Sequence, residues 1–472
     1  MSRTGSARGV ILVVAVALSG GVGIVANAKS PATATAGPTL APVPRPHCGP
    51  GSRPETQQGR ASAADFATGR AAQGYMCNVR EVSHFGQTAG LKVFRYVDGA
   101  GHVCAFYDST SFFPTDALGN LTKDGLGVVD LDMSDPAKPK KVANLTTPAM
   151  LTPHESLQLS QSRGLLVAVA GNAVTYPGLV DVYDVKQDCR APKLLSSTPF
   201  GVLGHESAIS PDGRTFFASS TLGETVAAVD LGDPSSPSLL WSRVGVVFHG
   251  MSVSDDGTRL YVANIGQPPT FAGGIQILDN SQIQERRPNP QVPVISTLTW
   301  LSHSTPQIPI PLTINKHKYV LEVDEFATPA DDVGAARIIN VDDERRPYVV
   351  SNIRLDVNQP ASRAAEHNDP GASNNTFGGY SAHYCAVPRR NDPGLVACSF
   401  ILSGLRIFDI REPRHPHEVG YFNKPPSAGS GALAAPAWDV ANDQIWYSDT
   451  KTGFYAVQLT NGIAAELRAS SQ

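Results

Sequence analysis

The sequence predicts an all-β chain folded as a seven-bladed β-propeller of four-stranded antiparallel blades, its ring closed by an N-terminal strand. Two observations predict it: a composition rich in turn residues, and a strand-and-turn unit that recurs seven times. The 472 residues include 43 Gly and 37 Pro, too much punctuation for a mostly helical chain. Hydrophobic residues make up 41%, enough for a large core and against global disorder. The formal net charge is −4, so there is no electrostatic footprint for nucleic acid. No phosphate-cradling loop motif occurs, and no nucleotide cofactor is expected.

The recurring unit reads Gly, alternating apolar residues, Asp, then Pro-x-x-Pro. Gly125-Leu-Gly-Val-Val-Asp130 runs into Asp135-Pro-Ala-Lys-Pro139, Thr225–Asp230 into Asp233-Pro-Ser-Ser-Pro237, and Gly404–Asp409 into Glu412-Pro-Arg-His-Pro416. Weaker copies run from Leu179 to Asp184, Gly274 to Asp279, Ala336 to Val341 and Gly453 to Leu459. Each follows a β-rich run, such as Val103–Asp108, Thr215–Ser219 or Leu395–Phe400. Several of those follow a short strand and a turn such as Ser210-Pro-Asp-Gly213. Four short antiparallel strands per roughly 45–60 residues are the unit of a propeller. Pro stops each third strand because it cannot donate to a ladder. The last unit ends without an outer strand. Asn78–Phe85 resembles the outer strand Pro416–Phe422 and is expected to fill that place, which removes both free edges.

The pattern Gly-Leu-x-Ile-x-Asp-Ile-x-x-Pro-x-x-Pro-x-x-x-Gly is carried best by Gly404 to Gly420. It resembles the LVIVD-repeat family of secreted bacterial β-propellers, across about residues 75–460. The resemblance implies the architecture and carries no reaction.

Arg3 and Arg8, the apolar run Val10–Leu18 and Ala26-Asn27-Ala28 read as a signal peptide over residues 1–28, its apolar run too short for a membrane span. Residues 29–72, rich in Pro, Ala and Thr, are expected as a disordered linker, 73–465 as the propeller and 466–472 as a tail. The protein is therefore expected to be secreted or associated with the cell envelope, as a monomer with no membrane span after signal removal. Six Cys in an exported chain permit disulfides. The turn Arg390-Asn-Asp-Pro-Gly394 sets Cys385 opposite Cys398 and predicts a bridge there. Cys48, Cys77, Cys104 and Cys189 allow three pairings, and spacing does not choose among them.

A histidine heads the inner strand in five successive blades: His154, His205, His249, His303 and His383. Inner strands ring the channel of a propeller, so their first residues meet at one mouth. Glu155 and Glu206 follow two of these His, and Leu321-Glu-Val-Asp-Glu325 ends a second strand at the same mouth. Imidazoles with carboxylates around one opening suit a transition metal, copper or iron. The candidate ligands are His154, His205, His249, His303, His383, Glu155, Glu206 and Glu325. Other seven-bladed propellers with channel-facing His, carotenoid oxygenases and methanethiol oxidases, hold iron or copper and oxidise small molecules, an analogy at the level of fold. Gly204-His205 also looks like the Gly-His pair of WD-repeat propellers, where His is a structural hydrogen-bond hub. Blades one and seven lack the His, which favours a one-sided site over a purely architectural role.

Two functions follow as expectations. One is an exported metal-binding propeller that oxidises a small molecule, a metal-dependent oxidoreductase. The other is a non-catalytic propeller that binds an extracellular protein, peptide or glycan. The connection from Asn358 to Ser381, with Glu366, His367, Asp369 and Tyr380, reads as either a lid or a disordered excursion.

Overall fold

The computed structural model describes residues 38–111, 115–171, 177–201, 204–221, 223–266, 273–300, 304–326, 333–372, 378–465 and 467. The expected signal peptide over 1–28, the start of the 29–72 linker and all of the 466–472 tail but one residue lie outside the described residues.

The described residues form seven antiparallel sheets, the blades of a propeller. The inner strands of blades one to seven are Val93–Val97, Gln158–Ser160, Glu206–Ile209, Phe248–Val253, Thr305–Ile314, Ala382–Ala386 and Ala437–Asp439. Val79–Phe85 pairs antiparallel with Gly453–Leu459 and completes blade seven, so the ring closes as the sequence predicts. Blade six carries a fifth strand, Tyr75–Cys77, outside His417–Asn423. Apolar residues of adjacent blades interdigitate, as where Phe106 and Cys104 of blade one meet Leu157 and Leu166 of blade two.

The repeated motif has a local physical cause. The carboxylates of Asp132, Asp184, Asp230, Asp279 and Asp409 each accept the backbone N–H two residues on, closing the third strand with an Asx-turn. A β-turn follows, with Lys138 N–H donating to Asp135 O, Ser236 to Asp233 and His415 to Glu412, and Pro at its second position. In blade one the capping residue is Asp132 rather than Asp130, a two-residue slip from the sequence alignment. Asp130 is left wholly buried, and among the described residues neither of its carboxylate oxygens has a hydrogen-bond partner.

A second repeat was invisible in the motif. Every outer strand carries a one-residue bulge. In four blades the residue after the bulge is a serine that donates across to the next blade's turn: Ser83 to Pro136 O, Ser196 to Pro234 O, Ser296 to Glu344 O and Ser351 to Pro413 O. The bulge turns the hydroxyl toward the neighbouring blade.

Three disulfides form: Cys385–Cys398, as expected from facing positions, together with Cys48–Cys77 and Cys104–Cys189. The linker expectation is corrected for residues 38–72. They pack on blade six, where Val43 joins the core, Ala63–Ala67 is helical, and Glu55 pairs with the fully buried Arg406. The apolar content looked too low to order this stretch, but one disulfide and a buried ion pair supply what it lacks. The Asn358–Ser381 connection is also ordered where described: Asp369 accepts from Arg60, from Ala63 N–H and from Tyr380. Among the described residues no helix is long and apolar enough to cross a membrane.

Burial, with Asp132 and Asp188 nearby, pushes the Asp130 carboxyl up to about 8. A raised carboxyl keeps its proton in the fold, so this group's contribution falls as pH rises from about 4, its unfolded value, toward its folded value. Urea unfolding between pH 4.5 and 8 is therefore expected to show the wild type losing about 1.4 kcal/mol per pH unit more than Asp130→Asn. Equal pH slopes in the two proteins would contradict this assignment.

Candidate active site in the channel mouth

Inner strands have one open edge, and the chain uses bulges there to aim side chains. Pairing slips between Phe248 and Met251 in blade four, between Pro306 and Ile308 in blade five, and between Ala382 and Tyr384 in blade six. The displaced residues are His249 with Gly250, Gln307 and His383. His154 is aimed by another device: its φ is 51°, a left-handed conformation that favours turns and functional sites. Gly250 is required by close approach, since a Cβ there would lie 2.2 Å from Gln307 O.

These side chains converge on Glu155, which is 2% exposed. Its Oε2 lies 3.1 Å from both His205 Nε2 and His249 Nε2, and those two nitrogens are 2.9 Å apart. Its Oε1 lies 3.1 Å from His383 Nε2 and accepts from Gln307 Nε2 at 2.8 Å. Glu325 closes the group, 3.2 Å from His383 Nε2 and 3.5 Å from His249 Nδ1. His154 joins from blade two, its ligating atom within 4.8 Å of those of Glu155 and His205.

The other ring nitrogens face backbone carbonyls: His154 Nδ1 meets Ser111 O at 2.9 Å, His249 meets Pro306 O at 3.0 Å, and His383 meets Leu433 O at 2.6 Å. A carbonyl only accepts, so Nδ1 carries the proton and Nε2 of the neutral ring keeps its lone pair. Each of these bonds also crosses between blades. One nitrogen ties the ring, and the other looks into the channel.

Lone pairs aimed at a carboxylate repel unless something positive lies between. Without a metal that charge is a proton. Burial opposes charging of His249 and His383, but Glu155 and Glu325 outweigh it and push the two rings up to about 9 and about 10. Burial, with His205 beside it, drives His154 down to about 4. His205 is lowered by burial against the pull of Glu155. Burial would raise Glu155, yet hydrogen bonds from His205, His249 and His383 hold it well below the usual carboxylate range.

Of the predicted ligands, His154, Glu155, His205, His249, Glu325 and His383 come together. His303 lies outside the described residues; of the described residues of blade five, Gln307 joins the group. Glu206 is taken up by Lys92 Nζ and Tyr384 Oη, with Ser207 N–H donating at 2.8 Å. Glu322 and Asp324 turn from the channel onto Arg337, whose guanidinium lies over Trp300. Lys92, Gln307 and Tyr384 were missed. Lys92 and Tyr384 had a signal: they occupy the position after the in-register residue, as Glu155 and Glu206 do. Gln307 had none, because the blade-five bulge is not legible. A second group, Asp98, His102 and Asp188, is closed by its own turn: Asp98 accepts from Ala100, His102 and Cys189 N–H.

At the cluster opens a cavity of about 590 Å³, lined by His154, His205, His249 and His383 together with Leu91, Ile265, Phe326, Ile401 and Leu433. Asp108 and Asp449 accept Leu91 N–H and Gly431 N–H and hold two segments of its wall.

No family model matches the chain, and no curated protein does. Solved structures match by fold. The chain is similar to Kuenenia stuttgartiensis hydrazine synthase, with 12% identity and a TM-score of 0.50, covering 80% of this chain and 97% of that one. It is similar likewise to U3-55K, with 10% identity and a TM-score of 0.50, covering 81% and 98%. At these identities the likeness shows the propeller fold alone.

Gly250→Ala drives a methyl into the blade-five backbone and is expected to cost about 1–3 kcal/mol in chemical denaturation. Gly119→Ala, at a helical site with no atom within 4 Å of the added Cβ, is the control and is expected to leave stability unchanged or slightly raised.

Proposed function

We propose that this propeller is an exported metalloprotein that holds one iron or copper ion at the channel mouth and oxidises a small molecule there. The observation that carries the reading is a triangle of donor atoms. His205 Nε2, His249 Nε2 and Glu155 Oε2 are separated by 2.9, 3.1 and 3.1 Å. Metal bonds of about 2.0–2.1 Å at angles between 90° and tetrahedral place neighbouring ligands roughly 2.9–3.4 Å apart. Two imidazoles and one carboxylate on one face, with the opposite positions open, are the donor set of non-haem iron(II) sites. Carbonyl bonds at the distal nitrogens of His154, His249 and His383 are the outer support that metal-bound imidazoles commonly have.

His205, His249 and Glu155 would hold the ion, with His383 and His154 beside them. Gln307 and Glu325 orient Glu155 and His383. The metal would supply the redox chemistry, and the chain supplies positioning and a partly enclosed chamber. Export is supported by the signal-like N-terminus and by three disulfides, which persist in oxidising compartments.

Protein exported from a bacterial host and purified untagged without chelators is expected to carry about one equivalent of iron or copper by mass spectrometry. His249→Ala is expected to lose the metal while remaining folded by circular dichroism. A protein that is metal-free and takes up none of either added ion overturns the reading, leaving the imidazoles as ties between blades.

A further inference from the structure

The cavity beside the imidazoles is not polar all round. The register that pairs Val93 with Tyr107 in blade one, and Glu206 with Ser219 in blade three, sets Leu91 at the position His205 holds. In blade seven Leu433 lines the same opening. Blades one and seven therefore present a leucine, and Ile265, Phe326 and Ile401, next after the second strands of blades four, five and six, add further apolar surface. Leucine thus stands at the opening in blades one and seven, and imidazole in blades two, three, four and six.

The lysine at the lining is already spent. Lys451 lines the cavity, but its Nζ donates to the carbonyls of Ala428, Gly429 and Ser430 at 3.0, 3.1 and 3.2 Å. An ammonium has three protons, so none remains for a carboxylate or phosphate on a ligand. At the floor Glu155 and Glu325 are paired with His249 and His383, so those imidazoles are already matched by charge within the site. Phe326 enters the wall from a left-handed backbone, φ 64°, braced by Gly334 N–H on its carbonyl at 2.7 Å. A bulky residue held in that conformation costs stability and is a common mark of a ligand clamp.

We propose that the chamber binds a neutral, mainly apolar small molecule, laid along Leu91, Leu433, Ile265, Ile401 and Phe326 with one end over the imidazole cluster. This deepens the proposed function and rests on it for the role of the imidazoles, but not for the binding itself. A cavity of about 590 Å³ lies within the span of small-molecule sites. Thr221, Thr305 and Thr450 at the lining offer hydroxyls for one polar substituent, such as a hydroxyl or carbonyl.

The test is calorimetric titration of full-length mature protein with 2-naphthol, naphthalene-2-sulfonate and glucose, each on metal-stripped and metal-loaded samples. 2-Naphthol is expected to bind both samples, at least about tenfold tighter than the sulfonate, because burying an unpaired charge is costly. Glucose is expected to give no heat of binding. Leu433→Arg is expected to weaken 2-naphthol at least about tenfold and to shift preference toward the sulfonate. Ile265→Asn, at a half-buried wall position, is expected to weaken 2-naphthol with a melting temperature near wild type, which separates a lost site from a lost fold. Sulfonate or glucose binding as tightly as 2-naphthol, or 2-naphthol binding indifferent to both variants, overturns the proposal. Metal uptake measured on the same samples keeps the readings apart. Metal taken up by a protein that binds no 2-naphthol sinks the chamber alone, and 2-naphthol bound by a protein that takes up no added metal sinks the metal site alone.

Discussion

A carboxylate that burial alone would keep protonated is held ionised at the axis of the ring, and the mouth of the propeller is organised around it. Glu155 receives three imidazoles and one carboxamide, drawn from blades three, four, five and six. A buried charge with no such partners would cost several kcal/mol. The donors must therefore arrive from four different sheets at one point. That requirement accounts for the bulges at His249, Gln307 and His383 and for the glycine at position 250.

His154, His249 and His383 serve the architecture and the site with separate atoms. Nδ1 bonds a carbonyl of a neighbouring blade, while Nε2 faces the channel, so the structural and the metal readings of a repeated histidine describe two ends of one ring. Serines share the tying role: Ser219, Ser399 and Ser448 donate to His249 O, Ala434 O and Gly90 O at the heads of the following blades. With the ties distributed in this way, a blade can dispense with its histidine. Blades one and seven do so and line the chamber with leucine.

The fold was legible because its signal is repeated and local. The Asp that closes the third strand in five blades, and the Pro in the turn after it in three, recur with little regard to what the blade faces. Ring closure by Val79–Phe85 and the Cys385–Cys398 bridge followed from the same pairing logic. The site was legible only in part. His154, His205, His249, His383, Glu155 and Glu325 were found because they sit in or beside the repeat. Gln307 was not, because a one-residue bulge shifts the blade-five register and hides which residue points inward. Glu206 was assigned to the imidazoles, since nothing in the order of residues tells that Lys92 of blade one and Tyr384 of blade six reach it. The 38–72 segment was taken for a linker because composition does not register a single buried Arg406–Glu55 pair.

The central claim is that Glu155 and the imidazoles form one coordination sphere. X-ray absorption at the metal edge of the loaded protein tests it most directly. The account predicts a first shell of nitrogen and oxygen at about 2.0–2.2 Å, with the outer-shell scattering of at least two imidazoles. A shell of oxygen alone, or one unchanged in His205→Ala, would contradict it.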